Sequence, residues 1–306
     1  MIALSTSFIS RGIRDGEGAI RYLEDFEIDG IELDYRIDGA TCRQIREALA
    51  KSRLKVASVH NYFPIPWVVS GSGGGGDLFS LCSPDAGERR RAVYWTTETM
   101  RHAADFGAST VVLHCGYTQM EHEWKKIIQF FRAGTINRKA AREFIQEKLR
   151  ERDELNQRHL SSLLLSLGEL VKEAESEGIG LGIENRYYYY ELPTLDNLRT
   201  IFEEFEGSPI GYWHDTGHAH ANEVLGIIRR GELLEAYGGR LLGIHVHDAR
   251  GLEDHLVPGA GEIDFRVLGN FMKRPEIPVV VEPRSGTPER DVTKGIKLVK
   301  EVADRE

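Results

Sequence analysis

Short apolar runs alternate with stretches of helical periodicity along the whole chain. Strand-like runs fall at Ile2–Ser5, Gly30–Tyr35, Leu54–Tyr62, Thr110–Cys115, Gly180–Asn185, Ile210–Asp215, Leu241–Asp248 and Pro278–Pro283. Between them, Glu17–Phe26, Thr41–Lys51, Glu88–Phe106, Leu195–Phe205 and Asp291–Val302 carry apolar positions at helical spacing. Strands that are each followed by a helix predict a closed (β/α)8 barrel of the α/β class, because every parallel connection needs a crossover. A doubly wound open sheet is the rival, and no GxGxxG turn follows the first strand to support it. The 306 residues suit one barrel, read as a single domain over 1–306 with insertions near 64–86 and 117–158.

Both insertions carry an expectation. Gly71–Gly76, in the loop after the third strand, reads as a surface insertion, or more sharply as a mobile flap over a pocket. After the fourth strand, Tyr117–Glu177 is an unusually long connection with a charged helical stretch from about Asn137. It reads as a solvated extended hairpin, with a dimerisation arm or lid as the alternative.

Composition narrows the class. With 41% hydrophobic and 28% charged residues, the chain matches an ordinary globular protein with a sizeable core. No apolar run of about 18 residues suggests a membrane span, and the first residues lack the charged and apolar regions of a secretory signal. Cys42, Cys82 and Cys115 are scattered without a CxxC pair, so a reducing cytoplasm is the expected location. A formal charge of −9 disfavours a broad nucleic-acid surface. A small-molecule substrate and a possible homo-oligomer remain.

Candidate chemistry lies where the strands end. In a barrel the C-terminal strand ends surround one pocket, so residues far apart in sequence converge there. Successive strands close on His60, His114, Glu184-Asn185, Asp215 with His218 three residues on, His245-Val-His247-Asp248, and Glu282-Pro283-Arg284. One His or Glu in such a place is more often a hydrogen-bonded core residue. Several carboxylates buried together are unfavourable unless cations or protons compensate them. Interleaved imidazoles are good ligands for zinc, manganese and related ions, so a bound metal cluster resolves the electrostatics. Strand alternation turns His214 away from that face, and His247 shares the face with His245. His220 reads as peripheral, and His102, His122 and His159 as solvated. The loop after the seventh strand brings His255 within reach, with Glu253 or Asp254 beside it; Gly259 and Gly261 permit its tight return.

These ordered motifs, spread over nearly the whole chain, resemble the xylose isomerase-like TIM barrel superfamily of sugar isomerases, sugar epimerases and endonuclease IV. In the tagatose-epimerase branch, the resemblance implies one divalent ion held at Glu184, Asp215, His245 and Glu282. There the two glutamates act as acid and base on opposite faces of a ketose, and His218 contacts substrate. His247 and Arg284 are placed with His218 among the substrate contacts. The endonuclease IV branch implies up to three zinc ions. His60, His114 and Glu184 match its first site, Glu184, Asp215, His245 and Glu282 its second, and His218 and His255 its third, where Glu253 stands in place of the family's Asp. The run Ser83-Pro84-Asp85 followed by Glu88 also resembles that branch. Two departures stand against it: Arg186 and four tyrosines follow Asn185, and the loop after the second strand is short. The lysine that xylose isomerases keep near their metals has no counterpart at a strand end.

Three functions follow from this reading. The first is a sugar or sugar-phosphate isomerase or epimerase that uses a divalent ion, zinc or manganese, and the Glu184/Glu282 pair. The second is a multi-zinc phosphoester hydrolase. The third is a metal-binding barrel without catalysis.

Overall fold

The computed structural model describes residues 1–10, 15–69 and 74–304. Its strands are β1 (Ile2–Ser5), β2 (Gly30–Leu33), β3 (Lys55–His60), β4 (Thr110–Leu113), β5 (Gly180–Glu184), β6 (Ile210–Asp215), β7 (Leu241–Val246), β8 (Asp248–Arg250), β9 (Glu253–Leu256) and β10 (Val279–Val281). Eight of them close a barrel in the order β1-β10-β7-β6-β5-β4-β3-β2, while β8 and β9 form a small antiparallel hairpin above it. All pairings around the barrel are parallel, as the alternation of apolar runs predicts. Several strands end short of the runs read from sequence, at Leu33 rather than Tyr35 and at Leu113 rather than Cys115. Beyond those ends, Tyr35 and His114 line the mouth.

The helices are α1 (Ser7–Ser10), α2 (Gly16–Glu24), α3 (Gly39–Leu49), α4 (Ala86–Asp105), α5 (Trp124–Arg132), α6 (Lys139–Glu177), α7 (Leu195–Glu204), α8 (Thr216–Leu225), α9 (Glu232–Tyr237), α10 (Gly269–Met272) and α11 (Glu289–Asp304). Their starts are written in capping residues. Asp85 accepts from Glu88 N at 2.7 Å and so caps α4, which gives the Ser-Pro-Asp segment a structural role. Thr194 and Asn197 form a reciprocal capping box on α7.

The long connection after β4 is not a solvated hairpin. In its first half, Ile127 of α5 and Ile145 and Leu149 of α6 pack with Tyr189, Leu225 and Leu252 as an apolar cluster of their own. The second half of α6 is the crossover helix back to β5, burying Leu160, Leu163, Leu167, Leu170 and Ala174 in the main core. It ends at Gly178, which takes the left-handed conformation that favours glycine (φ 67°). His159, expected to be solvated, is buried inside this helix. Its Nδ1 donates to the Cys82 carbonyl (3.1 Å), and its Nε2 accepts from Gln119 N (3.2 Å). Among the described residues, no helix is long and apolar enough to cross a membrane.

Strand alternation divides the barrel into a shell and an interior. Leu4, Ile31, Val59, Val111, Ile183, Ile244 and Val281 face the helices. Ala3, Ala57, Val112, Trp213 and Val280 form a separate inner layer. Trp213 is fully buried there because its neighbours are glycines: a Cβ on Gly243 would lie 2.1 Å from the indole ring, and one on Gly182 3.0 Å. Two residues further along β1, β4, β6 and β10 the interior becomes polar; in β3 a register shift against β2 turns Ser58 and His60, not Val59, inward.

Candidate functional site

Each inward position after the apolar layer carries chemistry. Val112 is followed two residues on by His114, Gly182 by Glu184, Trp213 by Asp215, Gly243 by His245, and Val280 by Glu282. All five polar side chains are buried, and the period of two keeps them on the inner face.

Glu184 is the hub of this layer. Its Oε2 lies 2.7 Å from His114 Nε2 and 3.8 Å from His60 Nε2, while Oε1 lies 2.8 Å from His245 Nδ1. Burial acts to raise its pKa, but the surrounding imidazoles, His114 foremost, outweigh it and hold the carboxyl well below its ordinary range. His245 Nδ1 also approaches Glu282 Oε2 (3.4 Å) and Asp215 Oδ2 (3.8 Å). Its far nitrogen is 2.8 Å from Glu32, which Ser5 and Ser58 hold by their hydroxyls at 3.0 and 2.7 Å. Burial raises the Glu282 pKa; His245 opposes this, and the neighbouring carboxylates reinforce it. The two glutamates are therefore displaced in opposite directions.

Asp215 organises the other side. It caps α8 by accepting from His218 N at 2.7 Å, and its Oδ2 is 3.0 Å from His247 Nε2. His218 Nδ1 donates to the Asn185 carbonyl (3.0 Å), which leaves Nε2 for the pocket. His247 Nδ1 accepts from His255 N at 2.9 Å, so both of its ring nitrogens are engaged and it braces Asp215. His255 lies on β9 with φ 53°, and its Nδ1 is buried without a hydrogen-bond partner.

The fit to a divalent metal can be tested on these donors. Four groups each place one donor atom per residue within 4.8 Å of one another: His60/His114/Glu184, Glu184/Asp215/His218, Asp215/His245/Glu282 and His218/His247/His255. Glu32, Glu184, Asp215 and Glu282 are all buried in this small volume, an arrangement that calls for a cation. The orphaned nitrogen of His255 points the same way. The residues fit.

Not every expected site residue joins. Glu253 is exposed and turned outward to Arg284, with which it pairs at 2.8 Å. Both sit on the rim: simple alternation would put Glu253 and His255 on one face of β9, and the left-handed backbone at His255 (φ 53°) breaks it. His220 pairs with Glu262 (3.1 Å) outside the mouth, His122 stacks on Tyr190, and His102 lies on α4.

Other functional side chains were not among those expected. Asp77, in the loop after β3, lies 3.0 Å from His114 Nδ1 and 3.1 Å from Arg186. That loop comes close: a Cβ on Gly76 would stand 2.7 Å from the His114 ring. Gly71 to Gly73, part of the proposed flap, lie outside the described residues. Arg186 is buried between Asp77, Glu184 (3.4 Å) and Glu191 (2.7 Å). Against burial, Asp77 and Glu184 hold the His114 pKa up at about 9 despite the Arg186 charge. Charged residues inside apolar runs, such as Glu32 in Gly-Ile-Glu-Leu, were the available signal. Trp124, Tyr187 and Tyr188 form an aromatic wall over a mouth of about 400 Å³ that reaches down to Glu184 and Glu282.

Comparison with known proteins agrees with this architecture. The family described as xylose isomerase-like TIM barrel matches residues 20–302. Among solved structures, a D-tagatose 3-epimerase-like protein superposes with a TM-score of 0.68 at 18% identity, covering 98% of this chain and 96% of that one. A 3-keto-D-glucoside 4-epimerase from E. coli gives 0.69 at 15% identity, with 98% of each chain covered. A D-psicose 3-epimerase, solved in the presence of D-fructose, gives 0.68 at 13% identity, with 99% of each covered. No curated protein matches the sequence.

Proposed function

The chain belongs to the xylose isomerase-like TIM barrel family, and from that premise we propose that it is a divalent-metal-dependent sugar or sugar-phosphate epimerase or isomerase acting by proton transfer beside a carbonyl. One observation carries this reading: Glu184 and Glu282 reach His245 Nδ1 from two strands, at 2.8 and 3.4 Å, and share with Asp215 the buried end of one mouth. Proton transfer next to a carbonyl needs two positioned carboxylates and an electrophile between them.

Glu184, Asp215, His245 and Glu282 would hold the catalytic ion. When bound, a divalent ion supplies Lewis-acid polarisation of the substrate carbonyl and its neighbouring hydroxyl. Glu282 and Glu184 exchange the proton on the carbon between them, one removing it and the other returning it to the opposite face. His218 Nε2 is directed at the substrate by the hydrogen bond that its Nδ1 makes to Asn185. Arg186 and Glu191 fix the ring side of the pocket, and Trp124, Tyr187 and Tyr188 give sugar C–H faces an apolar surface while excluding water. The epimerases among the similar structures support this choice of substrate class.

The additional donor groups favour a second reading. His60/His114/Glu184 and Glu184/Asp215/His218 give room for further ions, as a multi-zinc phosphoester hydrolase would require. Elemental analysis of chelator-free protein, paired with assays on ketoses, ketose phosphates and phosphodiesters, separates the two. Epimerisation with one tightly held ion supports the first reading; phosphoester cleavage with two or three ions replaces it with the second.

A further inference from the structure

A second cavity lies on the outer flank of the barrel, apart from the metal mouth. It holds about 410 Å³ between α8, α9 and the segment from Ile263 to Phe271. Ala219, Leu233 and Leu268 are buried in its wall, Leu234 and Ile263 continue that surface, and Val267 stands exposed at its edge. The acidic groups around the rim are engaged within the chain: Glu223 accepts from Gly231 N, Glu235 pairs with Arg229, and Asp264 pairs with Arg266. The cavity thus has an apolar body and a polar rim that also includes Arg230. Its volume is that of a small-molecule site.

Two buried polar side chains line it, His214 and Thr216, and the Thr216 hydroxyl is already paired with the backbone of His247. His214 is 4% exposed and lies on the outer face of β6. Its Nδ1 is 2.7 Å from Tyr212 Oη, and the direction of that bond can be deduced. Asn185 Oδ1 accepts from Asp215 N (2.8 Å), so it is the carbonyl oxygen, and it also accepts the Tyr212 hydroxyl proton at 2.8 Å. A phenol has only one proton to give, so His214 Nδ1 must be the donor toward Tyr212. The tautomer is then fixed, and Nε2 turns an unpartnered lone pair into the cavity. Nε2 is an acceptor open to the cavity, and a ligand hydroxyl or N–H can donate to it there.

We propose that this cavity binds a small, uncharged, largely apolar molecule that donates one hydrogen bond to His214 Nε2. A charged ligand would have to leave water for apolar walls. Indole is a suitable probe, since it joins an apolar body to one N–H, and 1-methylindole keeps the shape while losing the donor.

Equilibrium dialysis of the full chain against each compound tests the proposal. The expected result is one saturable indole site per chain, with 1-methylindole about tenfold weaker. His214→Phe should weaken indole by a similar factor. Val267→Trp fills the cavity from an exposed position and should abolish binding without lowering the thermal midpoint, so a folding defect in the His214 variant leaves the test intact. Absence of saturable indole binding, equal affinity for the two compounds, or full binding in Val267→Trp would overturn the assignment.

Discussion

Two layers of the same barrel, one above the other on the same strands, have opposite characters. The lower one is Ala3, Ala57, Val112, Trp213 and Val280, a closed apolar plug. The upper one, two residues further along, is His114, Glu184, Asp215, His245 and Glu282, a buried ionic cluster. Backbone geometry is shared between them, so the difference lies in side chains alone. The plug gains stability from filling space, with Gly182 and Gly243 emptied of side chains to admit one indole. In the cluster the electrostatic demand is met only by protons or metal. The lower layer therefore fixes the radius of the barrel, and the upper one uses that rigidity to hold charged groups close together.

Substitutions can test that division from either side. The largest effect is expected from Glu184→Gln, which removes charge from the carboxylate that touches His60, His114 and His245. Turnover should fall about 10⁴-fold, and the metal-free chain should stay folded while losing the stability that the imidazoles lend the ionised carboxylate. A comparable loss of fold would make Glu184 part of the scaffold and erase the contrast between the layers.

A second effect is set by pH. His114 titrates at about 9 in the metal-free protein, so binding a metal below that pH must displace its proton. Apparent zinc affinity should rise about tenfold per pH unit between 6 and 8, as isothermal titration with proton counting would record. Because the folded pKa is raised, the stability this group contributes is full below its unfolded value of about 6.5 and disappears as pH rises through about 9. Metal-free protein should therefore soften over that window. An affinity independent of pH would mean that His114 and His245, whose pKa is also raised, both stay outside the metal site.

In the plug, Gly243→Ala drives a methyl group against Trp213 and should cost about 2 kcal/mol by chemical denaturation, with Gly182→Ala costing less. Surviving folded protein should keep its metal stoichiometry. The smallest effect belongs to Glu253→Ala, which breaks an exposed pair with Arg284 and should change turnover and zinc content by less than about twofold. Loss of an ion in that variant would show that Glu253 turns inward when metal is bound.

Much of this was legible from the chain. The barrel and its polar strand ends could be read because parallel strands buried on both faces are apolar runs, against which a terminal His, Asp or Glu stands out. Glu32 stayed hidden because it lies within a strand rather than at its end. Asp77 and Arg186 occupy loops, where charged residues are ordinary and only the tertiary path brings them to Glu184. The burial of His159 depends on α6 serving two purposes along 39 residues, so no single apolar stripe marks its inward side. Glu253 and His255 look equivalent in the sequence, and the positive φ of His255, which a period of two does not foresee, separates them.

Hydrogen exchange at the substrate carbon bears most directly on the central claim, that Glu184 and Glu282 are an acid–base pair around a polarised carbonyl. Metal-loaded protein incubated in deuterated water with ketoses and ketose phosphates should place deuterium on the carbon beside the carbonyl of its substrate, read by proton NMR. Glu282→Gln should stop that exchange while keeping the fold and most of the metal, because an amide keeps one oxygen ligand but cannot act as a base. Cleavage of phosphoesters by a wild type that exchanges no proton with any of these sugars would contradict the claim.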